Sequence, residues 1–334
     1  MATYKGIQGY TVQNLATDPT GEDSVGQLWY NSSVGKFKIS TEGAGSWATG
    51  GAMNTGRAAM GGCGTQTAGL IFGGTPNRTA TETYNGSTWT TSPASLTLGR
   101  SLFGGAGTTT AAICFGGAIP PTSGGGLKAE TEKYDGSSWT EVDNLASGRM
   151  GNLGVGISTA ALSCGGYNPN TTALTLVESY DGTSWTATTA MLTARSKGGT
   201  STQGTTTAAL YFGGDTPASD FSALTESFDG TSWTEVADLN AGRNAGTGSG
   251  TQTLALCFGG DAPTVSPNPT VNTEKWDGTS WTEVGNMGIA GYDITGFGTG
   301  SLSLVAGGSP APTRTTATEE WTDPIYTIKT VTVS

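Results

Sequence analysis

Along most of this chain apolar and polar residues alternate in short runs broken by Gly, Thr, Asn and Asp, the period of half-buried β-strands. Sustained apolar spacing of three and four residues is absent, so no helix is predicted. One ten-residue phrase recurs: TETYNGSTWT at 81–90, TEKYDGSSWT at 131–140, VESYDGTSWT at 177–186, TESFDGTSWT at 225–234 and TEKWDGTSWT at 273–282. Each copy reads as a β-hairpin. Glu and an aromatic residue, two positions apart, share one face of a first strand, and a second strand opens on Trp. The Asn-Gly or Asp-Gly between them suits the positive φ values of a tight hairpin turn. A single hairpin cannot bury its aromatic face alone, so several copies must stack.

Four markers keep a register from about Ser46 onward. Trp recurs at Trp47, Trp89, Trp139, Trp185, Trp233 and Trp281, with gaps of 42, 50, 46, 48 and 48 residues. A Leu or Met stands four residues before an Arg in five units: Met53 and Arg57, Leu96 and Arg100, Leu145 and Arg149, Met191 and Arg195, Leu239 and Arg243. In the sixth, Met287 is followed by Gly291. Gly-Gly closes an apolar run at 73–74, 116–117, 165–166, 213–214, 259–260 and 307–308. Then comes Glu with an aromatic: Glu82 and Tyr84, Glu132 and Tyr134, Glu178 and Tyr180, Glu226 and Phe228, Glu274 and Trp276, Glu319 and Trp321. Six units of some 46 residues fit one four-stranded propeller blade each.

These markers resemble the kelch repeat: the apolar residue then Arg, the Gly-Gly after the second strand, the aromatic in the third strand and the Trp in the fourth. The resemblance covers about 275 residues in six copies. It implies an all-β fold, a six-bladed kelch-like β-propeller over residues 46–322 with an N-terminal β-hairpin extension. Kelch repeats usually place six residues between the aromatic and the Trp, whereas Tyr134 to Trp139 leaves four, so the turn is tighter here. The phrase is also similar to the sialidase Asp-box, one residue short. No activity follows from the resemblance, because kelch-like propellers serve both enzymes and binding modules. The unit ending at Trp321 has no Trp hairpin of its own, so the strand around Trp47 is expected to complete it and close the ring.

The flanks stand outside the repeat. Residues 1–45 contain GQLWYNSSVGKFKI at 26–39, which reads as a small hairpin and resembles an element common in bacteriophage tail-fibre and other virion proteins. Residues 323–334 alternate like one more strand, pairing either with this extension or with a neighbouring subunit of a homo-oligomer. The start, MATYKGIQGYTVQNLA, lacks a charged-then-apolar secretory pattern, which predicts a protein left in the cytoplasm or released by assembly or lysis.

Composition narrows the chemistry. Gly makes up 55 of 334 residues and charged residues only 12%, a mix open to disorder, but nine Trp, ten Tyr and nine Phe at regular spacing argue for a packed β core. The net charge of −11 argues against a nucleic-acid surface. No apolar run is long enough for a membrane span. The four cysteines, Cys63, Cys114, Cys164 and Cys257, show no CxxC spacing and read as small core residues, and no cofactor or metal is indicated. Histidine is absent, which removes the usual general base.

Candidate residues divide by repetition. Arg57, Arg100, Arg149, Arg195 and Arg243 recur at one equivalent position. Sialidases hold a carboxylate with three Arg from unequal positions, so recurrence predicts a structural role here, each Arg paired with the Glu of its own blade. Trp89, Trp139, Trp185, Trp233 and Trp281 are expected to pack between blades rather than to stack on sugars. The connections at 75–80, 118–128, 167–175, 215–223, 261–271 and 309–315 differ in every unit and hold most of the Pro. They predict a recognition face, with Pro120, Pro121, Tyr167, Asp215, Phe221, Asp261 and Pro267 as binding candidates and Tyr292 nearby.

The leading functional expectation is a non-enzymatic virion protein of a tailed bacteriophage: a fibre, spike or capsid-surface propeller. Its partners would be other virion proteins and a host surface glycan or protein. The alternative is a secreted carbohydrate-active propeller, sialidase- or lyase-like, which needs unequal acidic and Tyr residues converging at one pore mouth. A cytosolic kelch-type adaptor is disfavoured, because no helical partner domain fits in 45 residues.

Overall fold

The computed structural model describes residues 12–19, 26–42, 45–75, 79–119, 126–263, 269–309, 313–324 and 326–331. Among these there is no helix, and the strands form seven four-stranded sheets. The chain divides into two compact units: Met1–Gly45 with Asp323–Ser334, and Ser46–Thr322.

In the smaller unit the hairpin Leu28–Asn31 and Lys36–Glu42 is joined on one edge by Gln13–Leu15, in parallel, and on the other by Tyr326–Thr330, antiparallel. The C-terminal strand therefore pairs with the extension of its own chain. Trp29 is buried at the centre of this sheet, and its indole N–H and the Asn31 amide both donate to Asp18 Oδ1, at 2.9 and 2.6 Å. These two donors draw the Asp18 carboxyl below its ordinary range.

Ser46–Thr322 is a β-propeller. Its six sheets share one antiparallel order, and their innermost strands touch in a closed cycle: Gly61–Thr65, Gly104–Gly107, Leu153–Ile157, Gly199–Thr200, Thr247–Gly250, Thr295–Gly298 and back to the first. We number the sheets one to six in that order. Sheet six takes its outermost strand, Ser46–Thr49, from the beginning of the domain; it pairs with Thr318–Thr322 so that Trp47 lies opposite Trp321. Joining first and last strands in one sheet leaves the ring without an open edge.

The innermost strands are glycine-rich because neighbouring backbones approach closely around the axis. A Cβ on Gly154 would lie 2.2 Å from the Gly105 carbonyl oxygen of the adjacent sheet. The second strands, such as Ala112–Phe115 and Ala209–Phe212, are buried on both faces and accordingly read as unbroken apolar runs. The four cysteines are buried and unpaired, and burial pushes the thiols up, to about 12 for Cys114, Cys164 and Cys257.

Each recurrent Arg lies beneath its own sheet against the recurrent Glu. Arg57 Nη2 is 2.6 Å from Glu82 Oε1, while Nη1 donates to the carbonyls of Gly73 and Ala80 at 3.1 and 2.7 Å. Arg100 with Glu132, Arg195 with Glu226 and Arg243 with Glu274 repeat the pairing. Sheet three is looser. Arg149 Nη2 is 2.9 Å from Glu178 Oε1 and donates to Ser163 Oγ, but Nε and Nη1 have no partner. Burial with so few partners pulls the proton affinity of Arg149 down.

The outer-strand Trp rings stitch each sheet to its predecessor. Trp139, Trp185 and Trp281 meet Phe72, Phe115 and Phe212 with ring centres 4.7–4.9 Å apart, and Trp47 meets Phe258 in the same way. Their indole N–H groups donate across the same seam: Trp89 to Thr318, Trp139 to Thr81, Trp185 to Thr131, Trp281 to Thr225 and Trp47 to Thr273. Trp233 departs from this pattern and donates to the Thr189 carbonyl, because Val177 stands where the other sheets have Thr.

One detail of the repeated phrase differs from the two-residue turn with paired positive φ values that Asn-Gly and Asp-Gly suggest. Tyr134 pairs with Trp139, so the loop has four residues, and only its Gly136 has positive φ. The Asp135 carboxylate closes it, accepting from the backbone N–H groups of Ser137 and Ser138 and from the Ser137 hydroxyl. The acid is held at about 2 by these donors, the Ser137 hydroxyl first. A side-chain cap replaces a second left-handed residue.

Candidate functional site

The connections that carry the Arg residues converge on the axis. Two residues after each Arg position stand Ala59, Leu102, Gly151, Lys197, Ala245 and Asp293, all with φ between 49° and 67°. Their backbones close a ring of six hydrogen bonds: Leu102 N–H to the Ala59 carbonyl, Gly151 to Leu102, Lys197 to Gly151, Ala245 to Lys197, Asp293 to Ala245 and Ala59 to Asp293, at 2.7–3.0 Å. Five of the six are not glycine, and a left-handed conformation there costs about 1 kcal/mol each. Ring closure compensates, which is why the strain recurs in every sheet rather than at one. The ring bounds a shallow recess, open to solvent, that continues into the glycine-lined channel. At the far end Gln203 reaches across the axis from sheet four to donate to the Gly64 carbonyl of sheet one at 2.9 Å.

A second ring lies outside the first. The residue after each Gly-Gly bridges the residue after each Arg position: Thr75 with Ala58, Ala118 with Ser101, Tyr167 with Met150, Asp215 with Ser196, Asp261 with Asn244 and Ser309 with Tyr292. Tyr167, Asp215 and Asp261, candidates from separate loops, thus hold equivalent places in three consecutive sheets. The Tyr167 hydroxyl donates to Asp215 Oδ2 at 2.8 Å, and Asn244 Nδ2 donates to Asp215 Oδ1 and to the Asp220 carbonyl. Lys197 Nζ is 3.8 Å from Asp215 Oδ2 and 5.8 Å from the centre of the Tyr167 ring. Phe221 sits half-buried in the same loop as Asp220. Pro120, Pro121 and Pro267 lie outside the described residues.

Electrostatically the mouth is mixed. Asp215 is 5% exposed, and burial raises its carboxyl above the ordinary range against the opposing pull of Tyr167, Lys197 and Asn244. Burial also raises Asp293 on the inner ring, opposed by Lys197 and reinforced by Asp215 and Asp261. The Tyr167 phenol is pushed up to about 12, first by burial and then by Asp215. Asp215 is a brace that fixes Tyr167, Asn244 and Lys197, leaving the Lys197 ammonium and the half-buried Asp293 carboxylate as the charged groups of the inner ring. Such a pair suits a polar or zwitterionic ligand. The recurrent Arg residues take no part, since each is at most 3% exposed beneath its sheet. Among the described residues no group of three or more His, Cys, Asp or Glu is placed to hold a metal ion.

Lys197, Asn244 and Asp293 were missed in the sequence. Aligning the six units on the Arg position gives the column Ala, Leu, Gly, Lys, Ala, Asp, in which the two charges stand out.

No family model matches the chain, and no curated protein is significantly similar to it. Solved structures do match. One titled "Structure of YjhT" superposes with a TM-score of 0.66 over 84% of this chain and 99% of that one, at 13% identity. At that identity the likeness shows the fold alone: an all-β propeller.

Proposed function

We propose that this propeller is a non-enzymatic binding protein of a tailed-bacteriophage virion, and that it meets its partner through the mouth carrying Lys197 and Asp293. One observation carries the reading: residues that repeat in every sheet are consumed in building the frame, and chemically unequal ones gather at one mouth on the side of the variable connections. A rigid ring bearing varied loops suits recognition. The virion assignment draws support from the resemblance of residues 26–39 to tail-fibre elements. The partner in this reading is a host surface glycan or protein, or a neighbouring virion subunit.

The test compares the parent with a Lys197→Ala, Asp293→Ala double variant, and with a chain bearing short Gly-Ser turns over 118–128 and 261–271. Parent-like melting with loss of host-cell binding or of incorporation into particles supports the proposal. Unchanged attachment and unchanged incorporation would put the binding surface elsewhere.

A carbohydrate-active enzyme remains the second reading, favoured by Tyr167 and the two raised carboxylates Asp215 and Asp293 at a single mouth. Release of sugar from a panel of acidic glycosides, abolished by Asp293→Asn, would establish it in place of the first.

A further inference from the structure

Five sheets bury a guanidinium, and the sixth keeps the receptor without it. Gly291 occupies the Arg position of sheet six, yet Glu319 is present, 6% exposed, and accepts from the backbone N–H groups of Gly288 and Ile289 at 2.7 and 2.9 Å. Those two bonds do not exhaust the carboxylate. In sheet four Glu226 accepts from the equivalent pair, Leu192 and Thr193, and from Arg195 as well. The other acceptors are also conserved in kind. Where Arg57 and Arg243 donate, the partners are the carbonyl of the first Gly of Gly-Gly and the carbonyl two residues before the Glu. In sheet six these positions are Gly307 and Ala317.

In sheet six these groups line a cleft. Gly291, Gly307, Ala317 and Glu319 border a narrow opening that is continuous with solvent, with Met287 and Ile289 on its apolar side. Ile289 is 41% exposed at this opening. We propose that the cleft is an arginine receptor: it takes the guanidinium of an Arg side chain presented by another polypeptide, in the place that Arg57, Arg100, Arg149, Arg195 and Arg243 fill from within. A planar guanidinium matches a carboxylate and two carbonyls converging from different directions, whereas an ammonium is a point charge without that fork. Exposed Ile289 offers apolar surface to the stem of the incoming side chain. The net charge of −11 favours approach of a cationic partner. This cleft and the axial mouth present different chemistry, although Ile294 borders both.

The probe is ethylguanidinium chloride, added to the full chain at millimolar concentrations in thermal melts and calorimetric titrations against matched sodium chloride. The expected result is a saturable rise in melting temperature for the parent, with affinity reduced at least tenfold in Glu319→Gln. Gly291→Arg should fill the cleft from within, melting higher than the parent and failing to respond to the probe. A Cβ at 291 would lie 2.9 Å from Ile294 Cγ2, so Gly291→Arg with Ile294→Met serves as a second variant. It copies sheet one, where Met60 stands three residues after Arg57. No saturable response in the parent, an undiminished response in both Arg variants, or equal affinity for butylammonium would each overturn the proposal.

Discussion

Removing one recurrent guanidinium gives the sharpest test of how the propeller is held together, and Arg57→Ala is the perturbation of choice. In the parent, Arg57 is fully buried against Glu82, which is 2% exposed. The substitution strips the ion pair and leaves the Gly73 and Ala80 carbonyls without their guanidinium donor. Glu82 Oε2 keeps its bonds from the Asn54 backbone and amide, but the buried carboxylate loses its counter-charge. Breaking a buried pair by deleting one partner costs roughly 3–5 kcal/mol. For a domain of this size that lowers the melting temperature by about 5–9 °C. Arg149→Ala should cost less, because Arg149 has two nitrogens without partners before the change. Removing both charges, Arg57→Met with Glu82→Gln, leaves no buried ion and should cost about 2 kcal/mol or less. Glu319→Gln removes no ion pair and should be the mildest. Differential scanning calorimetry on the four variants provides the measurement. An Arg149→Ala loss equal to that of Arg57→Ala, or a charge-free pair as damaging as the single deletion, would refute the view that the uncompensated carboxylate dominates.

Three further outcomes follow from the frame. Thr131→Val removes the hydroxyl that accepts from the Trp185 indole at 3.0 Å and recreates the Val177 seam, where the indole turns to a backbone carbonyl. It should therefore cost about 1 kcal/mol or less in chemical denaturation; a loss of about 3 kcal/mol would show the donor left unsatisfied. The capped turns give a pH signature: Asp135, Asp181 and Asp277 are held at about 2, so their contribution is fully present above the ordinary carboxylate pKa and is lost as pH falls from about 4 through about 2. Carboxyl NMR titration would check this, and three ordinary values near 4 would show that the caps are not formed. Gly154→Ala places a methyl against the Gly105 carbonyl of the next sheet and should lower the melting temperature far more than alanine at the exposed loop position Ser137, as parallel melts would show.

What the sequence made legible was whatever recurs. Arg57 and Glu82 repeat in step with the Gly-Gly pairs, so their pairing beneath one sheet follows from register alone, and the orphan Trp47 pointed to a unit lacking its outer strand. Geometry that residue identity does not encode stayed hidden. Ala59, Leu102, Ala245 and Asp293 have no preference for positive φ, and only closure of the six-membered backbone ring puts them there. Likewise Tyr167 and Asp215 are 48 residues apart and meet because consecutive sheets turn about one axis. The same closure explains where chemistry sits. It forces equivalent positions into equivalent geometry, so a column of aligned residues differs only in side-chain chemistry, and a departure from the column is a departure in what that sheet can bind or hold. Val177 diverts the Trp233 indole to a backbone carbonyl and leaves the seam intact. Gly291, by contrast, withdraws a cation from a receptor still built for it, while Lys197 and Asp293 add charge where other sheets have none. In a closed ring of this kind, function is to be sought at the exceptions to the repeat, and those of sheets four and six border openings to solvent.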